Sequence, residues 1–208
     1  LPMVSLSDIL HNSVAICEEV NKLCRPLEHF THYLQQGYYP FGAEGFATYN
    51  QRVENTVELL LNIELPQLRK VDIGNIRKLK ALLSVLASEV PMLVDTAKLS
   101  TLLGISRNTL LAYLEYLDEA KLIKRLYSDD LSVKKMQKPD KILMDNCNLL
   151  KVLALKEPNI GTLRETFFCN QLGYQHQVEY SKQGDFLIDH QITFEIGGQA
   201  KEGKQVAA

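Results

Sequence analysis

The stretch DTAKLSTLLGISRNTLLAYLEYLDEAKLIKRL, residues 95–126, constrains the fold more than any other part of the chain. Leu99, Leu102 and Ile105 fall before or within the LGIS turn, and Leu110, Leu114 and Leu117 follow it at helical spacing. Such a pattern predicts a short helix from Thr96 to Leu103, a tight turn, and a second helix to about Ala120, with those six side chains forming a shared core. Gly104 supplies the backbone freedom for the turn, and Ser106 supplies the oxygen that caps the second helix. This is a helix-turn-helix. LIKRL reads as a strand after it, and KILMD (141–145) can pair with that strand. Between them lies a polar loop, Ser128 to Pro139, carrying Lys134, Lys135 and Lys138. A helix-turn-helix followed by two strands and a loop predicts a winged helix over residues 73–150.

Upstream, residues 1–72 read as a helical region. Ser7 is a plausible first cap, with apolar residues at 10, 14, 16, 20 and 23. Pro26 can open a second helix and Gly37 can close it. YYPFG interrupts, and an amphipathic helix is expected from Ala47 to about Leu61, with a proline break in IELPQLRKVD. The next segment aligns Ile76, Leu79, Leu82, Leu83 and Leu86 on one stripe. Beyond Pro158, NIGTLRETFFCNQLG reads as a helix, and QVEYS, GDFLID and QITFEI as short strands. Residues 151–208 are therefore expected to form a small α/β unit, and the fold class is mainly α with a smaller α/β part.

Several function classes are excluded or narrowed. No apolar run approaches the roughly 20 residues that span a bilayer, and the first ten residues lack the pattern of a signal peptide. A cytoplasmic location with no membrane partner is expected. A formal charge of −2 argues against a strong nonspecific polyanion binder, so any DNA contact has to come from a local patch. That patch is Arg107, Asn108 and Thr109 at the start of the second helix, with the three loop lysines, against repulsion from Glu115, Asp118 and Glu119. Cysteines at 17, 24, 147 and 169 form no C-x-x-C pair and read as free thiols. No G-x-x-x-x-G-K-[ST] is present, so no P-loop is present. The chain opens without methionine and stops just after the last expected strand, which predicts a piece of a longer polypeptide.

GDFLIDHQITFEIGG, residues 184–198, raises the question of catalysis. Glu165, Asp185 and Glu195 form the acidic set whose spacing suggests a magnesium site, since that ion takes one or two carboxylates with water and phosphate oxygens. Phosphodiester cleavage would also want a lysine two residues after Glu195, where Gly197 stands. The structural alternative is that Asp185 closes a turn after Gly184, Glu165 favours its helix N-terminus, and Glu195 is a strand residue. His29 and His32 could share a helical face without a third ligand nearby. Tyr38, Tyr39 and Phe41 could stack on a base or partner, or pack between helices.

YLQQGYYPF, YNQRVENTVELLLNIELPQLRKVD, LSTLLGISRNTLLAYLEYLDEAKLIKRL, KPDKILMDNCNLL, IGTLRETFFCNQL and YSKQGDFLIDHQITFEIGG together span about residues 30–205. In order and spacing they resemble the C-terminal half of prokaryotic AAA-like P-loop ATPases that carry a DUF4143 domain. The resemblance implies an N-terminal ATPase domain in the same polypeptide that uses ATP and magnesium, with no cofactor in these 208 residues. It implies a winged helix followed by a truncated PD-(D/E)xK nuclease-like domain. Glu165, Asp185 and Glu195 match that domain's acids, and the unmatched lysine makes the site degenerate. Three functions are expected as rivals: an accessory region binding DNA or a partner, a magnesium-dependent nuclease, and a protein-binding scaffold. A homo-oligomer, paired through an open sheet edge, is a further expectation.

Overall fold

The computed structural model describes residues 4–69, 73–128 and 138–197. Helix α1 (Leu6–Leu23) starts two residues earlier than the Ser7 cap implies. Ser5 accepts from the Asp8 N–H at 3.1 Å and donates its own N–H to the Asp8 carboxylate at 3.0 Å, a reciprocal capping box that Ser7 lacks. None of its residues is buried, so the apolar stripe of α1 does not enter the core. Helix α2 (Pro26–Gln36) begins at its proline and ends against Gly37, as expected. A 3-10 turn (Pro40–Glu44) leads to α3 (Tyr49–Leu59).

The proline break expected in IELPQLRKVD does not occur. Helix α3 widens into a π-turn (Leu60–Glu64) and continues as α4 (Leu65–Arg69). Pro66 has no N–H to donate, and its ring crowds the preceding turn. The π-turn relieves both by shifting the Leu65 N–H onto the Leu60 carbonyl, five residues back.

Helix α5 (Ile73–Glu89) buries its whole expected stripe, Ile76, Leu79, Leu82, Leu83 and Leu86. Then follow β1 (Met92–Leu93), α6 (Thr96–Leu103), α7 (Arg107–Glu119), β2 (Ile123–Leu126) and β3 (Lys141–Met144). The three strands form an antiparallel sheet in the order β1-β3-β2, with Met92 opposite Ile142 and Ile123 opposite Met144. Two-residue β1 is too short to show alternation, which is why the sequence did not reveal it. Leu102 departs from the expected core and is 63% exposed. Thr96, Leu99 and Leu103 define the inward stripe of α6, and Leu102 falls at its edge.

Helices α8 (Cys147–Leu153) and α9 (Ile160–Leu172) lead into a meander of β4 (Val178–Tyr180), β5 (Phe186–Ile188) and β6 (Ile192–Phe194). The main core joins Tyr49, Val53 and Leu61 of the first helices to Leu79, Leu86, Leu110, Leu114, Ile142 and Leu149. A second, smaller core gathers Leu126, Leu143, Cys169, Phe186 and Ile188. Strand β3 serves both: Ile142 and Met144 enter the first and Leu143 the second, because successive strand residues point to opposite faces. Among the described residues no helix is long and apolar enough to cross a membrane.

Helices α6 and α7 end in the same way. After α6, Gly104 is left-handed (φ 59°), with the Ile105 N–H on the Ser100 carbonyl at 3.1 Å. After α7, Lys121 is left-handed (φ 57°), with the Leu122 N–H on the Leu117 carbonyl at 2.9 Å. Both are Schellman ends, which favour glycine. Gly104→Ala is expected to cost about 1–2 kcal/mol, read as a lower urea midpoint at unchanged slope.

Candidate functional site

Two groups of expected site residues can be followed from their backbone upward. At the start of α7, the Ser106 hydroxyl accepts from the Thr109 N–H at 3.1 Å and meets the Thr109 hydroxyl at 2.8 Å. Thr109 is thereby engaged in the cap, while Arg107 and Asn108 are exposed on the same turn. Lys78 of α5 donates to the Gly104 carbonyl at 2.8 Å and adds an ammonium beside that turn. Sequence reasoning missed Lys78, since nothing local connects it to a loop 26 residues on.

The acids expected to repel phosphate are largely engaged. Asp118 accepts from Arg125 Nε at 3.0 Å, and Glu119 is paired with Arg69. Both lie at the far end of α7 from Arg107. Of the loop lysines, Lys134 and Lys135 lie outside the described residues, and Lys138 is half-buried. Asp95, which caps α6, accepts from the N–H groups of Lys98 and Ala97, both at 3.0 Å. Those bonds, the Lys98 N–H first, hold its carboxyl below the usual range, and Lys138 adds attraction.

The carboxylate set divides. Glu165 lies in the middle of α9, whose N-terminus is capped instead by Asn159, accepting from the Thr162 N–H at 2.9 Å. Glu165 faces Lys141 of β3, which is 7% exposed and donates to Glu165 Oε2 at 2.6 Å. The same ammonium lies 3.9 Å from Asp185 Oδ1 and 4.8 Å from the centre of the Phe186 ring. Asp185 does not simply close a turn. Its N–H donates to the Phe194 carbonyl at 2.8 Å and its Oδ2 accepts from the Ile196 N–H at 2.6 Å, tying β5 to the end of β6. Gly184 is required at this crossing, since a Cβ there would lie 2.7 Å from the Phe194 carbonyl oxygen. Glu195 is exposed, between Phe194 and Ile196, which both pack on the second core. The cation shared by Glu165 and Asp185 is thus the chain's own ammonium. Among the described residues no cluster of three His, Cys, Asp or Glu side chains is arranged to hold a metal.

The remaining candidates are structural in their contacts. The His32 ring meets Phe46 edge to face at 4.4 Å. Cys17 and Cys24 are exposed free thiols, while Cys147 and Cys169 are buried, and burial pushes both of the latter up to about 12. Asn148, fully buried, accepts from the Tyr38 N–H at 2.8 Å and from the Tyr49 hydroxyl. It also donates to the carbonyls of Tyr33 and Leu34 at 3.1 and 3.0 Å.

The fold and these sites define a mainly helical protein with two small three-stranded antiparallel sheets. The family model of a domain of unknown function, DUF8612, matches residues 27–159, more than half of the chain, and the protein belongs to that family. No curated protein and no solved structure matches it. The resemblance to the DUF4143-bearing half of AAA-like ATPases is corrected by this match, because DUF8612 is a different domain. The shared features were amphipathic helices around a glycine turn, which any helix-turn-helix core requires and which do not distinguish one family from another. The implied N-terminal ATPase domain, with its ATP and magnesium, rested on that resemblance and loses its support.

Proposed function

We propose that this protein is a nucleic-acid-binding module of the winged-helix type, which grips a phosphate backbone through the first turn of α7. The observation that carries this reading is the exposure of Arg107 and Asn108 on that turn, with Lys78 beside it and two of the α7 acids paired elsewhere. The order α5, β1, α6, α7, β2, β3 supports it, since it is the element order of a winged helix. The α9 and second-sheet unit acts in this reading as a non-cleaving structural partner, because Glu165 and Asp185 already neutralise Lys141.

The test is fluorescence anisotropy of labelled duplex DNA at low and moderate salt. Wild type is expected to bind more weakly as salt rises. Arg107→Ala is expected to weaken binding about fivefold or more and to reduce the salt slope by about 1. Flat curves at low salt, where phosphate contacts are strongest, would sink the reading. A protein-binding scaffold is favoured by one observation: Leu102 and Leu155 are exposed on the groove between α5 and α6. Under that alternative the anisotropy stays flat and Arg107→Ala is silent.

A further inference from the structure

At the opposite end of α7 from Arg107 is a two-part cavity that folding alone does not explain. One chamber, of about 350 Å³, is lined by Tyr38, Lys121, Lys124, Asp145, Asn170 and Tyr174. The second, of about 270 Å³, shares Tyr38, Lys121 and Asp145 and continues between Tyr39, Phe41 and Val57. The first chamber is the more polar of the two. The hydroxyls of Tyr38 and Tyr174 meet at 2.6 Å, and Asn170 donates to the Asp145 carbonyl at 2.9 Å. The Lys124 ammonium lies over Gly173, where a Cβ would come 4.0 Å from it. The second chamber is apolar on its far side, with the Tyr39 and Phe41 rings stacked 5.4 Å apart and 6° from parallel.

Three unfavourable features converge on this spot. Lys121 adopts a left-handed backbone (φ 57°) at a helix end where glycine would be unstrained. The Asp145 carboxyl is desolvated, and its hydrogen bond from Asn146 Nδ2 is long at 3.4 Å. Burial raises the pKa of Asp145 despite the attraction of Lys121 and Lys124, so its ionisation opposes folding as the pH rises above the ordinary carboxylate range. Finally, a polar void is left open beside the core. Strain and buried charge gathered at a cavity are characteristic of ligand sites rather than of packing.

The geometry points to a binding site for a small organic phosphate with a flat body, of the mononucleotide class. The phosphate lies between Lys121 and Lys124, sugar hydroxyls meet Asp145 at the junction, and the base packs toward Tyr39 and Phe41. Two ammoniums face one carboxyl, so the polar chamber stays positive whether or not Asp145 is ionised, and it selects an anion. The apolar chamber has no complement for a bare anion, so a body that fills it is required. This site is separate from the α7 N-terminal turn, and its occupancy does not depend on DNA binding there.

Calorimetric titration of the protein with adenosine monophosphate, adenosine and inorganic phosphate tests the inference. Saturable binding of one adenosine monophosphate per chain is expected, with adenosine and phosphate each at least about tenfold weaker. Lys124→Gln is expected to weaken the nucleotide about tenfold, as loss of one charged hydrogen bond would. Lys121→Gly is the more telling variant: it removes the ammonium while suiting the left-handed backbone. It is expected to lose about tenfold in affinity while its thermal midpoint stays equal or rises by a few degrees. Arg107→Ala should leave nucleotide binding unchanged. The inference is overturned if adenosine monophosphate does not bind at millimolar concentration, if phosphate binds as tightly as the nucleotide, or if both lysine variants bind like wild type.

Discussion

Lys141→Met is expected to destabilise the protein by about 3–5 kcal/mol, because it removes the cation that two desolvated carboxylates share. Glu165 and Asp185 retain 15% and 21% side-chain exposure, too little for water to replace an ammonium 2.6 Å from one of them. The loss should be recovered on acidification. Two half-buried carboxylates that lose their shared cation repel one another, and binding a proton relieves that repulsion, so the variant gains stability relative to wild type as the pH falls. A triple variant, Lys141→Met with Glu165→Gln and Asp185→Asn, separates charge from packing. It is expected to regain most of the lost stability, since neutral groups of the same shape need no counter-ion. Urea unfolding of the single and triple variants at neutral and acidic pH checks this. If the single variant loses under about 1 kcal/mol, Lys141 is a solvated lysine and Glu165 and Asp185 are available for other chemistry.

How far the sequence could be read depends on the kind of signal involved. The two helices α6 and α7 and the turn between them were legible to the residue, because Gly104 and Ser106 punctuate them, and the stripe of α5 repeats at helical spacing. Leu102 was not, because a residue at the edge of an apolar stripe satisfies the spacing whether or not a neighbour covers it. Helix α1 fails for the same reason, with a periodic stripe that nothing buries. The matching end of α7 was illegible: Lys121 occupies the left-handed position that Gly104 occupies after α6, and no residue type announces it. Pro66 read as a break because proline has no N–H and crowds the preceding turn, but a π-turn moves the Leu65 N–H onto the Leu60 carbonyl and the helix goes on. The acidic triplet was legible as residues and not as a site. Lys141 reaches Glu165 across 24 positions, so the cation that pairs with two of these acids comes from β3, a strand with no local link to them. The cavity beside α7 draws on Tyr38, Lys121, Asp145 and Tyr174, four positions with no local pattern in common.

Asn148→Leu is expected to cost at least about 3 kcal/mol, although it keeps the branching of the side chain and adds apolar surface. The amide makes four hydrogen bonds in a fully buried place, and leucine makes none of them. The Leu34 carbonyl, the Tyr38 N–H and the Tyr49 hydroxyl lose this partner, while the Tyr33 carbonyl keeps its bond from the Gly37 N–H, and each buried group left unpaired costs about 1–3 kcal/mol. Asn148→Asp separates donor from acceptor. Its carboxylate still accepts from Tyr38 and Tyr49 but cannot donate to the two carbonyls, and it buries a charge beside them. Protonation restores one donor, so the Asp variant should be markedly unstable at neutral pH and improve on acidification, while the Leu variant should gain nothing from acid. The consequence reaches the cavity. Asn148 fixes the Tyr38 N–H, and its neighbour Asn146 donates to the Tyr39 hydroxyl at 3.0 Å, so α8 sets the position of both tyrosines that wall the two chambers. Burial pushes the Tyr39 hydroxyl up to about 12, and its oxygen accepts the Asn146 bond. A folded Asn148→Leu protein should therefore bind adenosine monophosphate more weakly than wild type, because the Tyr38 N–H has lost its acceptor. Equal affinity in the two proteins would mean that the Tyr38 hydroxyl, bonded to Tyr174, and its ring contacts hold Tyr38 without Asn148.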